Sequence, residues 1–132
     1  MQQVSWANAH ILFDGSAVAV QFYQNGSSPV ISMYAGTGVF SDTTHCTVGF
    51  NHVTLEIFNH AGGSTASSLT VDNNTAVTGD PGANNPGGAS VGGRYSGGNI
   101  RWYGGIWIAG TMSGPNVASC RTFFGNLAGL SL

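Results

Sequence analysis

Few side chains in this sequence are equipped for acid–base, nucleophilic or metal chemistry. The carboxylates are Asp14, Asp42, Glu56, Asp72 and Asp80, the arginines Arg94, Arg101 and Arg121, and four histidines and two cysteines complete the set. Glycoside hydrolysis normally uses two carboxylates on one site, about 5–10 Å apart. Glu56 is the sole glutamate, and Thr54 and Phe58 occupy the alternate positions on either side of it. Asp72 reads as a turn residue and Asp80 as a loop residue, so no catalytic residue is expected. No G-x-S-x-G elbow is present to activate a serine. Cys46 follows His45, but adjacent residues of a strand point to opposite faces. A buried Cys46 and a surface His45 are expected, not a thiolate pair. His52 and His60 share strand parity yet lie roughly 26 Å apart at about 3.3 Å per residue, too far to hold one zinc ion.

What remains is binding chemistry. Residues 100–108 (IRWYGGIWI) alternate so that Trp102, Ile106 and Ile108 face one way, the expected core side. Arg101, Tyr103 and Trp107 then face the other way, where an aromatic pair beside an arginine suits a sugar ring or a protein partner. The loop at 80–88, with Tyr95 and Asn99, forms a rival site. Cys46 and Cys120, if bridged, would constrain the unfolded chain by about 4–5 kcal/mol in the loop-entropy model. With no secretory marker, free thiols are favoured. The glycosylation patterns at Asn25 and Asn73 are expected by chance in a chain rich in Gly and Asn.

The elements that must position these residues are mostly strands. Residues 17–23 put Val18, Val20 and Phe22 on one face. Asn25-Gly26, a strong hairpin signal, leads into the β-rich stretch 30–34. Residues 52–60 alternate Val53, Leu55 and Ile57 against His52, Thr54, Glu56 and Phe58. Residues 68–72 and 76–78 flank Asn73-Asn74, whose side chains tolerate positive φ in a tight turn. The glycine pair at 104–105 predicts a bulge or a close backbone approach. Residues 79–88 are too rich in Gly, Pro and Asn for a strand. One short helix is expected over 116–124, with Pro115 in its first turn and Gly125 as its stop. Short strands separated by turns predict an all-β fold, an antiparallel β-sandwich with one short C-terminal helix.

Composition narrows the function. The chain has 132 residues, 42% of them hydrophobic, which is enough for one folded domain. Charged residues are 6% of the total, against about 25% in an ordinary domain. There is no lysine, and the net charge is −2. Three arginines do not make the basic footprint of a nucleic-acid binder. No apolar run reaches a membrane span, and the first ten residues lack the basic and apolar regions of a secretory leader. So little surface charge favours association, and the expected partners are other subunits of a protein assembly, joined through sheet edges that no lysine protects.

Several C-terminal segments resemble the laminin-G-like branch of the concanavalin A-like lectin/glucanase superfamily. Residues 68–74 (SLTVDNN) resemble its strand ending in V-D-G, and Val91-Gly92-Gly93-Arg94 its I-G-G/A-R strand. Residues 102–108 resemble its F-x-G-x-I strand, and Met112-Ser113 its A-L-S segment before a closing helix. The tail at 123–132 (FFGNLAGLSL) is similar to the Y-L-A-x-x-x-G-L ending of bacterial and phage members. The resemblance implies a jelly-roll sandwich over residues 1–132. It is shorter than complete members by an N-terminal strand or two, so the sandwich is either trimmed or completed by a neighbour. The family's calcium sites point to Asp80, Asn84 and Asn85 as weak oxygen ligands; no other metal or cofactor is expected. The implied function is a non-catalytic component of a phage virion, a capsid decoration or a tail or fibre appendage, with a lectin-like surface. The alternative is a secreted or cell-surface carbohydrate-binding module that also meets glycans. A glycoside hydrolase is the least favoured reading. Either of the first two places the chain in a virion or outside a cell.

Overall fold

The structure is a computed structural model, and it describes residues 1–15, 20–59, 67–92, 99–108, 110 and 112–132. Its elements in chain order are β1 (Gln2–Gln3), β2 (Ile11–Asp14), β3 (Gln21–Gln24), β4 (Ile31–Tyr34), β5 (Val39–Asp42), β6 (Thr54–Ile57), β7 (Ser67–Val71), β8 (Val77–Gly79), β9 (Ser90–Val91), β10 (Ile100–Arg101) and the helix α1 (Gly114–Ala128). A five-stranded sheet runs β5-β4-β3-β2-β9, a three-stranded sheet β6-β7-β8, and β1 pairs with β10. Every pairing among them is antiparallel. The fold is therefore all-β with a C-terminal helix, as the strand pattern predicts.

The core lies between the two larger sheets. Leu12, Phe22, Ile31 and Met33 from one meet Leu69 and Val71 from the other, with Met1 and Cys46 filling the space between. The alternation expected around residue 20 holds in its described part, since Val20 and Phe22 are buried; residues 17–19 lie outside the described residues. Gln24 is buried on the same strand and is satisfied there. Its side-chain amide donates to the Ser5 carbonyl at 3.1 Å and its Oε1 accepts from Ala7 N–H at 3.1 Å.

One flank of the sandwich is closed. There β5 lies against β7 and β8, and Gly79 admits the Phe40 ring, whose Cβ and Cγ stand 2.5 Å from where a side chain would begin. The loop after β8 is stitched to the end of β4: Ala35 N–H donates to the Pro81 carbonyl at 2.6 Å and Asn84 N–H to the Ala35 carbonyl at 2.9 Å.

The hairpin expected at Asn25-Gly26 forms, with β3 and β4 paired from Gln24↔Ile31 onward. Three other local expectations are corrected. In the β7–β8 hairpin the positive φ falls on Asp72, at 54°, and not on the asparagines. Residues 100–108 form a strand only over Ile100–Arg101, where the pairing with β1 ends; farther on, Gly104 takes a φ of 148°. The helix is longer than 116–124 and runs through Gly125, which is buried against Leu132. Its stop is Gly129, left-handed at φ 72°.

Gln3 is enclosed, and neither atom of its side-chain amide has a hydrogen-bond partner among the described residues. Burying an unmade hydrogen bond costs about 1–3 kcal/mol. Gln3→Met keeps the shape and removes the polar atoms, so it is expected to raise stability by about that amount. The check is a urea midpoint that rises at unchanged slope; a midpoint that falls contradicts this account of Gln3.

Candidate functional site

The open flank of the sandwich, between β2 and β6, holds a groove of about 790 Å³. Residues 102–108 form one wall of it, and α1 closes it with Val117, Cys120, Arg121 and Phe124. These four fall at helical spacing on one side of α1. Glycines bring the wall together. Gly104 lets Phe124 approach to within 3.3 Å of where its Cβ would sit, and Gly105 leaves room for the Trp102 ring, 2.4 Å from the corresponding point. Asn51 ties wall to helix, accepting from the Tyr103 hydroxyl at 3.0 Å and donating to the Ala128 carbonyl at 2.5 Å.

The aromatic residues of this wall form a stack. Trp107 stacks on Phe13 with ring centroids 5.7 Å apart and on Trp102 at 5.9 Å, with interplanar angles of 24° and 17°. Trp102, Ile106, Trp107 and Ile108 remain 42%, 56%, 49% and 48% exposed. The expected face assignment therefore fails. Trp102, Ile106 and Ile108 are not core, and Trp102 and Trp107 are neighbours, because the chain leaves the extended conformation at the glycine pair. Tyr103 is exposed as well, and Arg101 is exposed at the end of β10, paired with Gln2. Phe123 and Leu127 add two exposed apolar side chains on α1.

The rival site does not assemble in the same way. Tyr95 lies outside the described residues, as do His60 and Arg94. Asn99 is held by Ser5, donating to its Oγ at 3.1 Å. Asp80 Oδ1 accepts from Gly82 N–H and Asn85 Oδ1 from Gly87 N–H, each at 2.9 Å, so both oxygens cap their own turns. The Asn84 amide packs where Gly36 has no side chain. No group of three or more His, Cys, Asp or Glu placed to hold a metal ion occurs among the described residues.

Each histidine–carboxylate contact has a local structural role. His45 Nδ1 meets Asp42 Oδ2 at 2.8 Å, while Asp42 Oδ1 accepts from the Thr44 and His45 backbone N–H groups. His45 thus turns to Asp42, while Cys46 enters the core. Burial would raise the Asp42 carboxyl, but these hydrogen bonds together hold it below the usual range. His52 is buried, with Nδ1 2.8 Å from Asp72 Oδ2 and Nε2 3.2 Å from the Thr47 carbonyl. Both ring nitrogens thus lie within hydrogen-bond distance of an oxygen. For Asp72 too, burial pushes upward and is outweighed by His52 and by the Val53 N–H.

A carboxyl held low contributes stability that is present above its unfolded value and is lost as pH falls through the folded one. Asp72→Asn is therefore expected to cost about 1–2 kcal/mol near neutral pH, discounted for the partial exposure of the pair. The gap to the parent should close as acid protonates Asp72. Denaturation midpoints across pH 2–7 measure this, and a constant gap contradicts it.

Both cysteines are free, Cys46 buried and Cys120 half-buried. Burial pushes the Cys46 thiol up to about 12, and a thiol, unlike a thiolate, is a poor nucleophile. A thiol reagent is expected to modify Cys120 alone in the folded chain and both cysteines in denaturant. Modification of Cys46 first would contradict that burial.

Comparison with protein-family models, with curated proteins and with solved structures finds no match to this chain.

Proposed function

We propose that this chain is a non-catalytic binding protein that works as a subunit of a larger assembly. A phage virion component, decorating a capsid or forming part of a tail or fibre, is the setting that the C-terminal resemblance suggests. The observation that carries the reading is the exposed apolar strip of Trp102, Ile106, Trp107 and Ile108, in which Trp107 stacks on Phe13 and on Trp102. Aromatic residues so placed dominate protein interfaces, and a contiguous apolar surface on a chain with so few charges favours association. Among the described residues no helix is long and apolar enough to cross a membrane, so membrane insertion by a helix is not part of the reading.

The second reading is a carbohydrate-binding module. It is favoured by the tryptophan stack beside Tyr103 and Asn51, an aromatic platform with polar groups at its edge. Since Trp107 already has two ring neighbours, Trp102 is the better platform for a sugar. Hydrolysis has the weakest support: Glu56 is the one carboxylate among the described residues lining the groove, and retaining and inverting mechanisms both use two.

Titration of the purified chain with a glycan panel separates the readings. The assembly reading expects no saturable binding. Saturable binding that Trp102→Ala abolishes would replace it with the carbohydrate-binding one.

A further inference from the structure

The groove is also a cavity with its own electrostatics. Its volume of about 790 Å³ falls within the roughly 300–1,000 Å³ of sites that enclose small ligands. Protein interiors otherwise pack to nearly crystal density, with few voids larger than a water molecule. An apolar space of this size is a place for an occupant.

Two polar atoms at its walls have no hydrogen-bond partner among the described residues. One is Nη2 of Arg121, on the groove side of α1; the other is Oε1 of Glu56, on β6. They do not neutralise each other, for the ion pairs among the described residues are His45–Asp42 and His52–Asp72. Burial pushes the Glu56 carboxyl above its usual range, opposed in part by a hydrogen bond with Thr54. That favours the neutral acid, whereas a guanidinium stays cationic. The other ionisable groups at the walls are engaged, His52 by Asp72 and the Met1 amino group by the His52 carbonyl at 2.6 Å. The groove thus combines apolar walls with one unbalanced positive charge, on a side chain whose planar fork matches a carboxylate.

We propose that the groove binds a small amphiphile with an aliphatic body and a single carboxylate, the carboxylate on Arg121 and the chain along Leu12, Leu55, Trp102 and Phe124. Charge complementarity selects this occupant over the backbone of a strand donated by a second copy, which carries no net charge to balance Arg121. Trp102, Ile106, Trp107 and Ile108 of the tryptophan strip also line this groove, but ligand binding there does not depend on the assembly reading.

The test titrates the full chain with dodecanoate and with 1-dodecanol, following the fluorescence of Trp102 and Trp107, which line the groove. Saturable binding is expected, with dodecanoate at least about tenfold tighter than the alcohol, the equivalent of one charge-assisted hydrogen bond. Arg121→Met should bring the acid down to the level of the alcohol while leaving a cooperative melt, and Arg121→Lys should keep part of the preference. The proposal is overturned if neither compound saturates, if the parent chain binds both equally, or if Arg121→Met keeps the preference. The comparison of acid with alcohol on the parent chain decides the matter even where a variant does not fold.

Discussion

Gly82→Ala is expected to lower stability by about 3–5 kcal/mol. Gly82 has a φ of 105°, a region in which side chains are strained, and the added Cβ would stand 2.3 Å from the Ala35 carbonyl oxygen and 2.8 Å from Thr37 N. Both are backbone atoms, so no flexible side chain can move aside. Relief requires the loop to withdraw from β4, which breaks the Ala35–Pro81 and Asn84–Ala35 hydrogen bonds that close this flank. Guanidinium denaturation measures the loss. A variant within about 0.5 kcal/mol of the parent, the ordinary range for surface changes, would contradict the stitched flank. Gly92→Ala is a useful contrast: its φ of 81° carries strain too, but nothing stands within 4 Å of the added Cβ, so it should cost less.

The second large effect is expected at Trp107. Its ring joins Phe13 to Trp102 and so fixes the course of residues 102–108 over the groove. Each aromatic pair is worth about 0.5–1.5 kcal/mol beyond its buried area, and an aromatic anchor at an interface at least about 2 kcal/mol. Trp107→Ala should therefore weaken self-association by about 30-fold or more, with a smaller loss in the stability of the folded chain. Dilution series followed by sedimentation measure the first quantity and thermal melts the second. If Trp107→Ala associates as tightly as the parent, the tryptophan strip is not the contact surface.

The legibility of this chain differs sharply between its halves. The hairpins β3–β4 and β7–β8 are readable because each is local: alternating apolar residues surround a turn whose residue types tolerate the geometry. The helix is readable from Pro115, but its end is not. Gly125 and Gly129 are both plausible stops on paper, and only the approach of Leu132 to Gly125 shows that the first is a packing glycine. Residues 102–108 misled for a related reason. Their alternation is that of a strand, yet a pleat needs a partner, and β10 finds one only for Ile100 and Arg101, in the two residues of β1. Past that point packing against Phe13 and α1 replaces hydrogen bonding, and the sequence period no longer assigns faces.

The candidate site was legible in part. Of the binding residues expected at 100–108, Tyr103 and Trp107 line the groove, and Arg101 does not. Phe13 and Asn51 carry no local signal, since their contacts cross long stretches of chain. Arg121 and Phe124 did carry one, in the spacing of Val117, Cys120, Arg121 and Phe124 along the helix. The polar residues Asp80, Asn84, Asn85 and Asn99 were singled out by type, but residue type does not disclose that Asp80, Asn85 and Asn99 serve neighbouring backbone or side-chain groups.

The central claim is that this chain works by binding other subunits through an apolar strip. Its most direct test is the molar mass of the purified chain in solution, by light scattering behind a sizing column, over a range of loading concentrations. The expected result is a defined multiple of 13.5 kDa, shifted toward the monomer by Trp107→Ala. A single species at the monomer mass at every concentration would contradict it.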